Sequence, residues 1–188
     1  MIRFWVTGIW KHPALRPYET IMRMDSDSCF LRANPYLPNF KNPELWYHSQ
    51  YVGYEDGVEF TTGLIEFAED FMTRTRKKPG NPFLWHYVKA VHEAHGTMPV
   101  FNTNFELVRK SFMLRPDVRE WHDSITEREP FGVFKWRWGD AVIRFMTVAI
   151  FATNEKVCNS NPLGYGHNGF FKLCLKEDVE KALLEFEK

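Results

Sequence analysis

The chain has 188 residues, 24 Lys+Arg against 24 Asp+Glu and 44% hydrophobic residues, a balance that excludes disorder and fibrous repeats. A formal charge of zero and a pI near 7.1 offer no global field to nucleic acid or an anionic membrane. One α/β domain of this length buries enough surface to need neither a disulfide framework nor a structural metal.

Residues 3–15 (RFWVTGIWKHPAL) predict a short amphipathic helix stopped by Pro13, and ETIMRM a strand that runs into Asp25-Ser26-Asp27. A loop rich in Asn and Pro comes next over 34–43, then a strand near Tyr47 to Val52. In TTGLIEFAEDFMTRTRKK, Leu64, Phe67, Ala68 and Phe71 share one helical face. Its basic end, Arg74 to Lys78, reads as a solvated cap that complements the helix dipole. FLWHYVKAVHEA makes a second helix closed by Gly96, and NTNFELVRK a buried strand leading to a helix that carries Phe112 and Met113. The stretch from Ala141, AVIRFMTVAIFA, is apolar nearly all round and predicts a helix buried on most faces. Beyond a Gly- and Asn-rich loop, residues 175–188 form an amphipathic C-terminal helix suited to docking on this chain's core or on a partner chain.

The 17 Phe, 7 Trp and 7 Tyr fill a wide aromatic core or stack on the apolar faces of sugars. Cys29, Cys158 and Cys174 are odd in number, so at least one thiol is unpaired; their spacing marks neither a zinc motif nor a disulfide framework, and a reducing compartment is compatible. No stretch reaches the ~18 apolar residues of a membrane span and Met1 to Trp10 lacks a leader pattern. The chain therefore reads as soluble, without signal or anchor, and cytoplasmic by default.

Asp25 and Asp27 place two hard oxygen ligands at a strand end, suited to a divalent ion that also contacts a diphosphate, or simply terminate the strand through side-chain bonds to nearby amides. Gly164-Tyr165-Gly166-His167-Asn168-Gly169 either offers an imidazole to Mn²⁺ or Zn²⁺ or is a plain turn. His92 and His95 are spaced i,i+3 and miss the i,i+4 pattern of a helical zinc site. Glu106, behind Asn102-Thr103-Asn104-Phe105, reads as base, nucleophile or sugar-hydroxyl acceptor, or as a structural carboxylate. Asp140 is placed to N-cap the buried helix, and Arg137 and Trp138 just before it to face phosphate and sugar. Phosphate-loop, Rossmann and Gly-x-Ser-x-Gly strings are absent from the sequence.

In order, RFWVTGIWKHPAL, YETIMRMDSDS, NTNFELVRKSF, FKWRWGDAVIRFMTVAIF and GYGHNGFFKLC resemble the fungal α-1,2-mannosyltransferases of glycosyltransferase family 15. Arg137 to Ala141 and the Asn-Phe-Glu string are the most specific matches, and the resemblance runs from about Met1 to Cys174. It implies a single α/β domain over 1–174 like the C-terminal two-thirds of a GT-A glycosyltransferase: a mixed central sheet flanked by helices, without the family's N-terminal nucleotide-binding portion and membrane anchor. By the same resemblance, Asp25, Asp27 and His167 hold Mn²⁺; Asp25, Asp27, Arg137 and Trp138 meet the donor, GDP-mannose or another nucleotide sugar; and Glu106 and Asp140 are the catalytic carboxylates. The implied activity is retaining transfer of a hexose to a glycan or glycoprotein acceptor in a Golgi-luminal setting. The alternatives are a truncated relative that binds a glycan or partner without catalysis and, third, a metal-dependent phosphoester hydrolase. Asp25-Ser26-Asp27 departs from the family's Glu-Pro-Asp by one methylene and a missing Pro.

Overall fold

The computed structural model describes residues 1–30, 44–50, 52–55, 57–159 and 165–167. The predicted C-terminal helix over 175–188, the loop over 34–43 and Gly164, Asn168, Gly169 and Cys174 lie outside the described residues.

Helical turns, a π-type turn over Phe4–Gly8 and 3-10 turns over Ile9–Lys11 and Pro13–Leu15, replace the regular helix expected at the start. Val6 and Trp10 are its buried residues, and the Trp10 indole donates to the Val6 carbonyl at 2.8 Å. The chain then enters β1 (Thr20–Met24), β2 (Ser28–Phe30), β3 (Tyr47–Ser49) and β4 (Val52–Tyr54). The single strand expected near 47–52 is thus two. Tyr47, His48 and Ser49 are all buried and paired on both sides, whereas Val52–Tyr54 leaves that sheet to pair elsewhere.

Gly63, at φ 71°, turns the chain into α1 (Leu64–Thr75), which buries Leu64, Ile65, Ala68, Phe71 and Met72. Pro82 opens α2 (Pro82–His95), where the Asn81 side chain accepts from Leu84 N at 3.0 Å and left-handed Gly96 ends the helix. Strands β5 (Pro99–Phe101) and β6 (Phe105–Arg109) come next, then α3 (Lys110–Met113), α4 (Pro116–Thr126), α5 (Gly132–Lys135) and α6 (Asp140–Phe151), with β7 (Val157–Asn159) and β8 (Tyr165–His167) last.

The central sheet has the order β1-β6-β3-β7 and is mixed, with β6 antiparallel to β1 and β3, and β3 parallel to β7. Antiparallel pairs β2–β8 and β4–β5 flank it. Helix α6 is the hub: every residue from Val142 to Phe151 is buried, and the Phe145 ring stacks on Phe101 at 4.5 Å. Each such ring taken fully out of water stabilises the fold by roughly 1.5–3 kcal/mol. Within its buried span two polar residues ride in this apolar helix, and each has a designated partner. Thr147 accepts from the Trp121 indole and lies 3.1 Å from His122 Nε2, while Arg144 faces the sheet. Cys29 is disulfide-bonded, where the cysteine spacing marks no framework.

Candidate metal centre and carboxylate cleft

Strand β1 ends at Met24, and a main-chain bond from Asp25 N to Asn104 O (2.9 Å) anchors the turn that carries both aspartates. The β2–β8 ladder sets Ser28 opposite His167, which carries the late histidine to the early aspartates. Asp27 Oδ1 lies 3.0 Å and Asp25 Oδ2 3.8 Å from His167 Nε2. One potential ligand atom from each of Asp25, Asp27 and His167 falls within 4.8 Å of the others. Two carboxylates and an imidazole at such spacing suit Mn²⁺, which accepts hard oxygens and nitrogen alike. Asn104 steadies the group, its Nδ2 donating to Asp25 Oδ2 at 2.7 Å and lying 3.0 Å from His167 Nε2.

The charge around the cluster also favours a divalent ion. Four carboxylates (Asp25, Asp27, Asp140 and Glu106) meet two guanidinium groups, Arg23 and Arg144, leaving two negative charges in excess. The fit of donors and charge therefore agrees with a 2+ cation held by Asp25, Asp27 and His167.

Asp140 does not cap its helix. Gly139 is the N-cap, Asp140 is the first helical residue, and its Oδ2 accepts from Arg23 Nη1, because the guanidinium outbids neutral amides for the carboxylate. Its side chain is 22% exposed. Burial works against the Arg23 charge, yet Asp140, then Glu106 and Asp25, more than offset it and hold the Arg23 pKa above its ordinary value.

Glu106 is enclosed. Arg144 donates to both of its oxygens, Nε to Oε2 at 2.9 Å and Nη2 to Oε1 at 3.2 Å, and the two side chains are 3% and 2% exposed. Arg144 also lies over the Trp10 ring, 4.9 Å from its centroid. Burial, then the Glu106 charge, pushes the Tyr47 phenol well above its usual range.

Trp138 is an anchor, which corrects its expected sugar-facing role. The side chain is fully buried, its indole donates to Thr62 O at 2.7 Å, and Trp136 stacks on it at 5.3 Å. The aromatic surface that suggested a ligand platform is used up in the core. Arg137 takes the left-handed conformation, φ 56°, and reaches outward over the Phe60 ring. That arrangement fixes Trp138 inside and leaves Arg137 exposed at the N-terminal end of α6.

Sequence reasoning missed Arg23, Asn104 and Arg144. Arg23 stands two residues before Asp25 and so shares its strand face, and a lone Arg in an all-apolar helix demands a buried carboxylate. Both signals were present in the residues. Asn104 carried none beyond its place in the Asn-Phe-Glu string.

This arrangement, a mixed sheet whose β1 ends at an acidic pair that meets a histidine from the β2–β8 pair, is that of a glycosyltransferase-like α/β domain. The family model for glycolipid 2-alpha-mannosyltransferases matches residues 1–183, and the chain belongs to that family, glycosyltransferase family 15. Among characterised proteins it is similar to the probable mannosyltransferase KTR3 of Saccharomyces cerevisiae (24% identical, 95% of this chain, 44% of the relative). It is also similar to O-glycoside alpha-1,2-mannosyltransferase homolog 2 of Schizosaccharomyces pombe (22% identical, 89% of this chain, 45% of the relative). The chain thus spans less than half the length of these relatives. Its fold matches the crystal structure of core-mannan synthase A from Aspergillus fumigatus in its Mn/GDP form, with a TM-score of 0.75 at 21% identity over 89% of this chain and 47% of that one. The mannosyltransferase Ktr4p of S. cerevisiae gives a TM-score of 0.76 at 20% identity, over 89% and 45%. Among the described residues no helix is long and apolar enough to cross a membrane.

Proposed function

We propose that this chain carries the metal-binding and acceptor side of a retaining, metal-dependent glycosyltransferase, moving a hexose from a nucleotide sugar to a glycan acceptor. Mannose is the sugar and GDP-mannose the donor favoured by its family. The observation that carries the reading is the convergence of Asp25, Asp27 and His167. Asp25, Asp27 and His167 would hold a divalent ion, which would supply Lewis-acid neutralisation of the charge on a departing nucleoside diphosphate. Asn104 keeps Asp25 and His167 turned toward each other, which removes the cost of arranging them at the moment of binding. Of the two expected catalytic carboxylates Asp140 is the one with an open side, and it lies on the helix end nearest Arg137, so it faces the sugar and Arg137 the donor phosphates. Glu106 acts from behind, where Arg144 shares its charge, and orders the sheet edge on which Arg23 and Asp25 sit.

The test is sugar transfer and release from GDP- and UDP-sugars with Mn²⁺, together with Mn²⁺ and GDP binding by calorimetry. Asp27→Ala and His167→Ala are expected to abolish metal-dependent turnover and weaken Mn²⁺ binding. Turnover unchanged in both variants refutes the site. The enclosure of Glu106 by Arg144, which withdraws one expected catalytic carboxylate from the surface, favours one other reading, a glycan- or partner-binding relative without transfer. Sugar binding indifferent to Mn²⁺, with no response to any nucleotide, would select it.

A further inference from the structure

Arg23 touches the carboxylates on both sides of the proposed site and belongs to neither set of ligands. Its guanidinium lies over the Trp5 ring, with Cζ 4.4 Å from the centroid, and its side chain is only 14% exposed. Nη1 donates to Asp140, Nε stops 3.5 Å from Asp25 Oδ1, and the residue is paired with Glu106 across the β1–β6 ladder. Nε is buried and makes no hydrogen bond. A buried donor held just short of a carboxylate is an incomplete interaction that a small shift completes. Asp25, meanwhile, is anchored independently through its N to Asn104 O and its Oδ2 to Asn104 Nδ2.

We propose that Arg23 is a positioning residue that couples Asp25 to Asp140 by offering both carboxylates one guanidinium. The proposal deepens the reading of Asp25 as a metal ligand and rests on it. While Asp140 holds Nη1, Arg23 leaves Asp25 Oδ1 open. Loss of the Asp140 charge releases the guanidinium to close on Asp25 Oδ1, and Asp25 then binds a cation less well. Lysine keeps the charge but has no planar fork to share between two carboxylates. An acceptor that engages Asp140 is therefore felt at the metal-binding end through Arg23.

The experiment is Mn²⁺ binding, followed by the electron paramagnetic resonance of the free ion, in the unaltered chain, Asp140→Asn, Arg23→Lys and the double variant. Asp140→Asn is expected to weaken Mn²⁺ binding about fivefold or more when Arg23 is present, and by less than about 1.5-fold in the Arg23→Lys background. A merely structural Arg23 shifts the melting temperature but leaves the two effects on Mn²⁺ additive. Additivity, or no effect of Asp140→Asn at all, overturns the proposal. Failure of every variant to take up Mn²⁺ overturns the metal reading instead. The brace is then read from urea unfolding: a coupling between Asp25→Asn and Asp140→Asn that disappears in the Arg23→Lys background supports it, and zero coupling refutes it.

Discussion

Replacing Glu106 by Gln separates a structural from a freely reactive carboxylate. Glu106 and Arg144 bond through two contacts, 2.9 and 3.2 Å long, with side chains 2% and 3% exposed. The amide keeps the shape but leaves the guanidinium charge buried and uncompensated, and sets an N–H against the Arg144 donors. Breaking a buried pair from one side costs about 3–5 kcal/mol, a large share of the ~5–15 kcal/mol that holds a domain together. For a chain of this size it lowers the melting temperature by about 6–20 °C, at about 2–4 °C per kcal/mol. Removing both charges in Glu106→Gln/Arg144→Met should recover part of that loss, so urea titrations of the four proteins should give a coupling of at least about 2 kcal/mol. A loss below about 1 kcal/mol for Glu106→Gln, additive with Arg144→Met, would show that the pair does not stabilise the fold and would return Glu106 to the role of a free nucleophile or base.

Burial, with the Arg144 charge second, lowers the His122 pKa from 6.5 to about 3. Between those values the unfolded chain binds a proton that the folded chain refuses. Stability therefore falls as pH drops below about 6.5, by up to about 1.4 kcal/mol per unit. His122→Asn should flatten that slope in denaturant titrations between pH 6.5 and 4, and an unchanged slope would refute the assignment. Asn104→Ala should weaken Mn²⁺ binding about 10- to 100-fold with little change in melting temperature; unaltered binding would show that Asn104 does not orient Asp25 and His167. Gly132→Ala places a methyl 2.1 Å from the Trp138 ring and should destabilise by about 1–3 kcal/mol, measurable as a lowered urea midpoint, whereas a neutral result would mean that the indole moves freely.

Much of the fold could be read from local pattern. The apolar face of α1 and the nearly unbroken apolar run of α6 left few choices, and Asn81-Pro82 and Gly96 bracketed α2 through known end chemistry. What local pattern did not hold was partnership. Tyr47–Ser49 and Val52–Tyr54 look like one strand until β6 and β7 claim the first and β5 the second. At the site, both aspartates and His167 were visible as residue types, but their meeting depends on the β2–β8 register, a long-range fact. Asp140 looked like a cap because nothing in its own helix announced Arg23, and Trp138 looked like a ligand platform because its seat joins Gly132 and Trp136, at the two ends of α5, to Thr62, a residue remote in sequence.

The disulfide at Cys29 brings the chemistry of thiols onto β2, beside that register. Cys29 stands two residues beyond Asp27, on the strand whose opposite number carries His167. Formation of that bond is an oxidation, so β2 reaches its finished covalent state only after a two-electron oxidant has acted on the thiols. With the thiols reduced, β2 and β8 still keep their ladder, the Ser28–Tyr165 hydroxyl contact and the small Phe30, Phe105 and Tyr165 cluster.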